Sequence, residues 1–142
     1  MYYPYFRGKQ FELITIRESA QLLAKSSFVP IIEPVRESLA GLKKTLSAIC
    51  DAGGKAIVII NPYHGDHNQD GTVISTLIKD GPFSANSISA GILLRSDSLL
   101  DEAIATFESH KGQNPALIHA GFTAAKPLAA HLKAEPSSIC NV

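Results

Sequence analysis

The sequence predicts an α/β protein of repeated βα units with parallel strands, arranged as part of a TIM-barrel-like fold. Three observations predict it. Short apolar runs recur along the chain, apolar residues at helical spacing lie between them, and every run ends on a polar or charged residue. Strands alternating with helices imply right-handed crossovers, and therefore strands of one direction. The runs are near-continuous in apolar residues rather than alternating, as expected when helices cover both faces of a parallel sheet.

The first element is a short strand in "YPYFR" (3–7), where Pro4 suits an opening position because it has no N–H to give to a ladder. Residues 11–24 are apolar enough for a helix. "FVPIIE" (28–33) is the second strand, followed by Leu39, Leu42, Leu46 and Ile49 on one helical stripe that "GG" at 53–54 stops. "KAIVIIN" (55–61) is the third strand, and a shorter helix follows over 72–78. "SAGILLR" (89–95) is the fourth. Leu100, Ala103, Ile104 and Phe107 then make a helix, with Ser98 and Asp101 placed for a capping box. "NPALIHA" (114–120) is the fifth strand, residues 124–132 a helix, and "SSICNV" (137–142) begins a sixth strand.

Two closures fit this pattern. An open, doubly wound sheet of five strands matches 142 residues, whereas a complete (β/α)8 barrel needs about 250 residues. The strand ends at Arg7, Glu33, Asn61, Arg95 and His119 recur every 24 to 34 residues, which suits a barrel. On the barrel reading, residues 1–142 are a single α/β domain forming the N-terminal part of a longer barrel-like protein.

Composition narrows the classes. With 45% apolar and 18% charged residues the chain is globular and can bury a core. A formal net charge of +0 removes the electrostatic case for binding nucleic acid or an anionic membrane, since neutralising many phosphates needs surplus Lys and Arg. The opening "MYYPYFRGKQFE" puts aromatics and charges where a signal peptide has its apolar core, and no apolar run approaches the ~18 residues of a spanning helix. Cys50 and Cys140 are too few and too distant for a disulfide scaffold or a CxxC knuckle. Reduced cysteines and a cytoplasmic location are the expectation.

Common strand direction brings the polar strand ends to one edge, where ligands bind in both candidate folds. Arg7 and Lys9 are placed to hold an anion, because a guanidinium grips phosphate or carboxylate in two places and Gly8 admits close backbone approach. The alternative for Arg7 is an ion pair with Glu33 or Glu12. Arg95 supplies a second cation, unless Asp97 pairs with it. Glu33, kept extended by Pro34, is an acid–base candidate, a metal ligand or a partner for Arg7. His119, followed by Ala120 and Gly121, is the second acid–base candidate, against a hydrogen-bonded structural role.

The run "INPYHGDHNQDG" (60–71) raises a separate question. His64, Asp66 and His67 have ligand chemistry, and His-x-x-His can grip one ion on a helix turn. Gly65, Asn68, Asp70 and Gly71 also make this the chain's most turn-rich segment, so a mobile loop covering a site and an inert turn remain open beside it. Asn61, fixed at the strand end before Pro62, is placed ahead of either loop histidine as a ligand-orienting group. His110 and His131 are expected on helix surfaces. No metal is assigned and no cofactor is indicated. Neither GxGxxG nor GxxxxGK[ST] is present, and GxSxG is absent.

"YYPYFRGKQFELITIRE", "FVPIIEPV" and "IINPYHGDH" resemble the start of the beta-protein family of phages and bacteria, through Pro4, Arg7, Lys9, Glu12, Pro30, Glu33, Pro34 and Asn61-Pro62. The match covers residues 1–67. The resemblance implies a barrel-like βα pattern in chains about twice this length, with an uncharacterised activity. Some relatives lie beside a nuclease-like protein. The polar strand ends set the functional expectation: an anion-binding site at the strand C-terminal ends, with hydrolysis of a phosphate-containing compound as its enzymatic form and an anionic small molecule as its ligand. The alternative is a non-catalytic module that acts with a nuclease-like partner in phage defence or associates with its own copies.

Overall fold

The computed structural model describes residues 1–133 and the backbone of 140–141. In chain order it contains β1 (Tyr5–Arg7), α1 (Gln10–Glu18), α2 (Ala20–Lys25), β2 (Ile31–Glu33), α3 (Ala40–Asp51), β3 (Ala56–Ile59) and α4 (Thr72–Asp80). There follow β4 (Ile88–Arg95), α5 (Leu100–Ser109), β5 (Ala116–Ala120), α6 (Ala125–Leu132) and β6 (Cys140–Asn141). All the strands are parallel and lie side by side in the order in which they occur along the chain. The parallel βα repeat is therefore present, and the sixth strand predicted near the end is seen at Cys140–Asn141. The other residues of that predicted strand lie outside the described part.

The sheet has two unlike faces. On one, Ile32, Val58, Ala90, Ile92, Leu94 and Leu117 join residues of the helices, including Ile16, Leu46, Ile74, Phe107 and Leu128, in one core. On the other, Val29, Ile31, Ile57, Ile59, Leu93, Ala116 and Ile118 form a second buried cluster with Tyr3, to which no described helix contributes. Apolar strands suggest helices on both faces. Here the second face is filled by strand side chains packing on one another, as the inside of a barrel wall is filled. Sequential strand order and a single helical face are the arrangement of a barrel segment.

Local chemistry explains most boundaries. In α3, Leu42, Leu46 and Ile49 are buried at the predicted spacing, and the buried hydroxyl of Thr45 is satisfied by the carbonyls of Gly41 and Leu13 at 2.9 and 3.1 Å. Its end is a glycine turn. Gly53 adopts φ +72°, and Gly54 N–H reaches the Ile49 carbonyl at 2.9 Å. The helix expected over 11–24 is instead two, broken at Ser19; the turn lets Ala20 and Leu23 reach the core while Leu22 stays exposed. The capping box of Ser98 and Asp101 does not form. Ser98 Oγ accepts the Arg95 N–H at 2.8 Å instead, closing the turn that follows β4.

His110, expected on a surface, is buried between α4 and α5. Its Nδ1 donates to the Thr106 carbonyl at 2.8 Å, leaving Nε2 to accept from the Ser75 hydroxyl at 3.1 Å. Burial pushes its pKa below the ordinary imidazole value. His131 is half-exposed and lies 3.1 Å from a Glu108 carboxylate oxygen.

Phe107 is fully buried among strands and helices. Phe107→Ala should cost about 3–5 kcal/mol, the range for removing a large core side chain. Urea denaturation followed by circular dichroism measures it.

Candidate functional site

Strand alternation decides which side chains meet. Tyr5 and Arg7 of β1 register with Ile31 and Glu33 of β2, in phase with Ile57 and Ile59 of β3 on the helix-free face. Leu93 and Arg95 share that face from β4, as do Ile118 and Ala120 from β5. At the C-terminal ends of these strands lies a pocket of about 410 Å³. Its lining is Tyr5, Arg7, Glu33, Tyr63, His64, Leu93, Arg95, Ile118, His119 and Ala120. Four of the residues singled out from the sequence, Arg7, Glu33, Arg95 and His119, are thus brought together.

Glu33 organises this pocket. It is only 1% exposed, yet its carboxylate accepts the Tyr5 hydroxyl at 2.8 Å and the backbone N–H groups of Tyr63 and His64 at 2.9 Å each. The His64 ring approaches through Nδ1, 3.2 and 3.3 Å from the two carboxylate oxygens. Burial by itself pushes the carboxyl pKa up. The His64 N–H, the Tyr5 hydroxyl, the Tyr63 N–H and the imidazole outweigh it, and the result lies below the ordinary value. Tyr5 moves the opposite way. Burial first, then its bond to Glu33, raises the phenol well above its usual range.

With Nδ1–H given to an ionised carboxylate, the other nitrogen of a neutral His64 is an acceptor. Arg7 is the matching donor: its guanidinium lies 3.3 Å from His64 Nε2. Tyr5, Arg7, Glu33 and His64 therefore form one connected set, with Nε2 and the guanidinium at the pocket. The Arg95 guanidinium lies over the Tyr63 ring, its Cζ 3.5 Å from the ring centre, and 3.4 Å from Asp97. The ion pair foreseen with Asp97 is present, and Tyr63 adds a cation–π contact that holds the guanidinium beside the pocket.

The turn-rich run after β3 is pinned along the loop after β2. Besides the bonds to Glu33, Asp66 N–H reaches the Val35 carbonyl at 3.1 Å, and the Asp66 carboxylate accepts Glu37 N–H at 2.8 Å. His67 is buried, and its Nε2–H is shared by the carbonyls of Arg36 and Glu37 at 2.9 and 3.1 Å. His64 thus turns to Glu33 and Arg7, while Asp66 and His67 turn to the backbone of Arg36 and Glu37. Among the described residues no group of three or more His, Cys, Asp or Glu is placed to hold a metal ion. Gly65 makes the approach feasible: its φ is +86°, and a Cβ there would lie 2.3 Å from the Val35 carbonyl oxygen.

Two residues singled out from the sequence do not line the pocket. Lys9 is exposed at the N-terminus of α1, where its carbonyl accepts Leu13 N–H. The Asn61 amide is turned to β4, donating to the Leu93 carbonyl at 2.9 Å and accepting its N–H at 2.8 Å. It continues the β3–β4 ladder by one side-chain rung. His119 lines the pocket, but it registers with Leu94 and is in phase with Leu117 on the helical side. Sequence reasoning missed Tyr5 and Tyr63, and it weighed His64 only as a metal ligand or as part of a loop, not as a partner of Glu33 and Arg7. Tyr5 carried a signal, two positions before Arg7 on the same strand; His64 carried none that set it apart from His67.

No family model, curated protein or solved structure matches the chain.

Glu33→Gln should lower stability by about 1.5–3 kcal/mol at neutral pH, the worth of hydrogen bonds to a charged group. Because the folded carboxyl pKa is depressed, its contribution is complete above the unfolded value of about 4.3 and is lost as pH falls through the folded one. The gap in melting temperature between variant and wild type should therefore close on acidification. Gly65→Ala should cost more than about 1–2 kcal/mol through left-handed backbone and the Val35 clash, read by thermal denaturation.

Proposed function

We propose that this rim binds the phosphate group of a small molecule and, in its enzymatic form, hydrolyses the ester. The supporting observation is the set Glu33–His64–Arg7: a buried carboxylate orients an imidazole whose second nitrogen and a guanidinium share one pocket. Arg7 and Arg95 provide fixed positive charge for the phosphoryl oxygens, which is where electrostatic stabilisation of phosphoryl transfer is needed. His64 moves the proton, at Nε2. Glu33 is a positioning residue, since its acceptor sites are already directed at Tyr5, the loop backbone and the imidazole.

In the hydrolytic step a water oxygen bonds to phosphorus and the ester P–O bond breaks. With His64 as the imidazolium, the leaving oxygen takes its Nε2 proton, both protons of the water stay on the product phosphate, and solvent returns a proton to Nε2 after release. Leu93, Ile118 and Tyr5 line the rest of the cavity and favour a substrate with an apolar portion beside the phosphate. Arg7 and Glu33, which take part in the beta-protein resemblance, are both pocket residues.

A panel of phosphate monoesters tests the reading. His64→Ala should lower kcat/KM by about 100-fold or more, the contribution of a positioned acid or base. Arg7→Ala should raise the inhibition constant of inorganic phosphate about tenfold or more. The melting temperature of Arg7→Ala should stay close to wild type, and His64→Ala should lose no more than one hydrogen bond to a charged group, about 1.5–3 kcal/mol. Unchanged kinetics, or phosphate binding indifferent to Arg7, would reject the site.

A further inference from the structure

The contact between Arg7 and His64 has a second consequence, which rests on the anion-binding reading above. A neutral His64 that donates through Nδ1 to Glu33 can accept from Arg7 at Nε2 across their 3.3 Å separation. An imidazolium cannot accept. Protonation would place an N–H donor opposite the guanidinium N–H groups, so that two cations face each other at hydrogen-bond distance. An anion seated between them accepts from both and removes that repulsion. We infer that the anion of this pocket enters between Arg7 and His64 together with one proton, which His64 takes up at Nε2. The Arg7–His64 bond closes this position, and the entering anion replaces it with two charge-assisted bonds of its own.

The surroundings assign the proton. Among the described residues, the titratable and charged groups that line the pocket with His64 are Tyr5 and Arg7 from β1, Glu33 from β2, Tyr63 beside it on the loop, Arg95 from β4 and His119 from β5. Glu33 is held ionised and Tyr5 held as a phenol over the neutral range. Both arginines remain charged. Imidazole is the side chain whose ordinary range falls there, which among these described residues leaves the two histidines as candidates. Of them, His64 alone is seen against both Arg7 and Glu33. Glu33 stays an acceptor for Nδ1–H in either state, so proton uptake needs no rearrangement of the buried carboxylate. The ligand class follows: a compact oxyanion with at least two acceptor oxygens on one centre. A phosphate monoester has this form, and a planar carboxylate offers fewer oxygens to two donors plus Arg95. A proton that arrives with the substrate is also available to the leaving oxygen in the proposed hydrolysis.

Sulfate is the direct probe, because it does not titrate near neutrality and any proton taken up must come to the protein. Isothermal titration at about pH 6, 7 and 8, in buffers of different ionisation enthalpy, should show affinity falling up to about tenfold per pH unit. Up to one proton should be taken up at the alkaline end. His64→Gln should bind sulfate with affinity independent of pH, while His119→Gln should retain the dependence. The carbon-detected NMR signal of the His64 ring in the unsubstituted protein should move to its imidazolium position on saturation, which keeps the test valid if a variant misfolds. Equal sulfate affinity at about pH 6 and 8, or a dependence that survives His64→Gln or vanishes in His119→Gln, would overturn proton-linked entry while leaving the anion site intact. Absence of sulfate and phosphate binding at every pH would remove both.

Discussion

A carboxylate shut away from water constrains this molecule more than any other single group. Glu33 sits at the end of β2 with almost no exposure, and an ionised side chain there must find its donors inside the protein. They come from two directions: the Tyr5 hydroxyl from the neighbouring strand, and two backbone N–H groups with an imidazole from the loop after β3. Satisfying one charge therefore fixes the position of β1 relative to β2, and seats the loop that carries Tyr63 and His64. The remaining contacts of that loop, from Asp66 and His67 to the backbone of residues 35–37, extend the same attachment. Gly65 permits it, since any side chain there would meet the backbone of Val35.

The sheet supplies the frame for this arrangement. Helices pack against one face, and among the described residues the opposite face is filled by side chains of the strands and of the segments leading into them. At the strand C-terminal ends the apolar filling gives way, position by position in the same phase, to Arg7, Glu33 and Arg95. Pocket floor and pocket rim are thus successive residues of the same strands. Such placement is more rigid than a site built wholly on loops. His64, which the loop contributes, is tied to the strand end it faces. Arg95 is likewise restrained, stacked on Tyr63 and paired with Asp97.

Several features are legible in the chain alone. The repeat of apolar runs and helical stripes yields the parallel βα units, because the periods of two and 3.6 are properties of single segments. Common direction then predicts that Arg7, Glu33, Arg95 and His119 share an edge, and they do line one pocket. The same reasoning overreaches at Lys9 and Asn61. An amide at a strand end can serve a ligand or the next strand equally well by composition, and here Leu93 claims both of its polar atoms. At Ser98 a local turn to Arg95 takes the oxygen that the capping pattern assigns to the helix. His110 reads as a surface residue, since nothing local reveals that Ser75, thirty-five positions earlier, faces it across a helix pair.

By itself, then, the sequence determined what depends on local period and strand polarity: the order of elements, their parallel sense, and the edge to which charged residues go. Tertiary structure alone decided which of those residues act on one another. Two histidines three positions apart look alike in the chain, yet one meets a buried carboxylate and an arginine while the other is spent on backbone carbonyls. Orientation of a ring depends on partners supplied by distant strands, and on whether the charge it meets has been taken out of water. Both are set only when the strands have assembled around them.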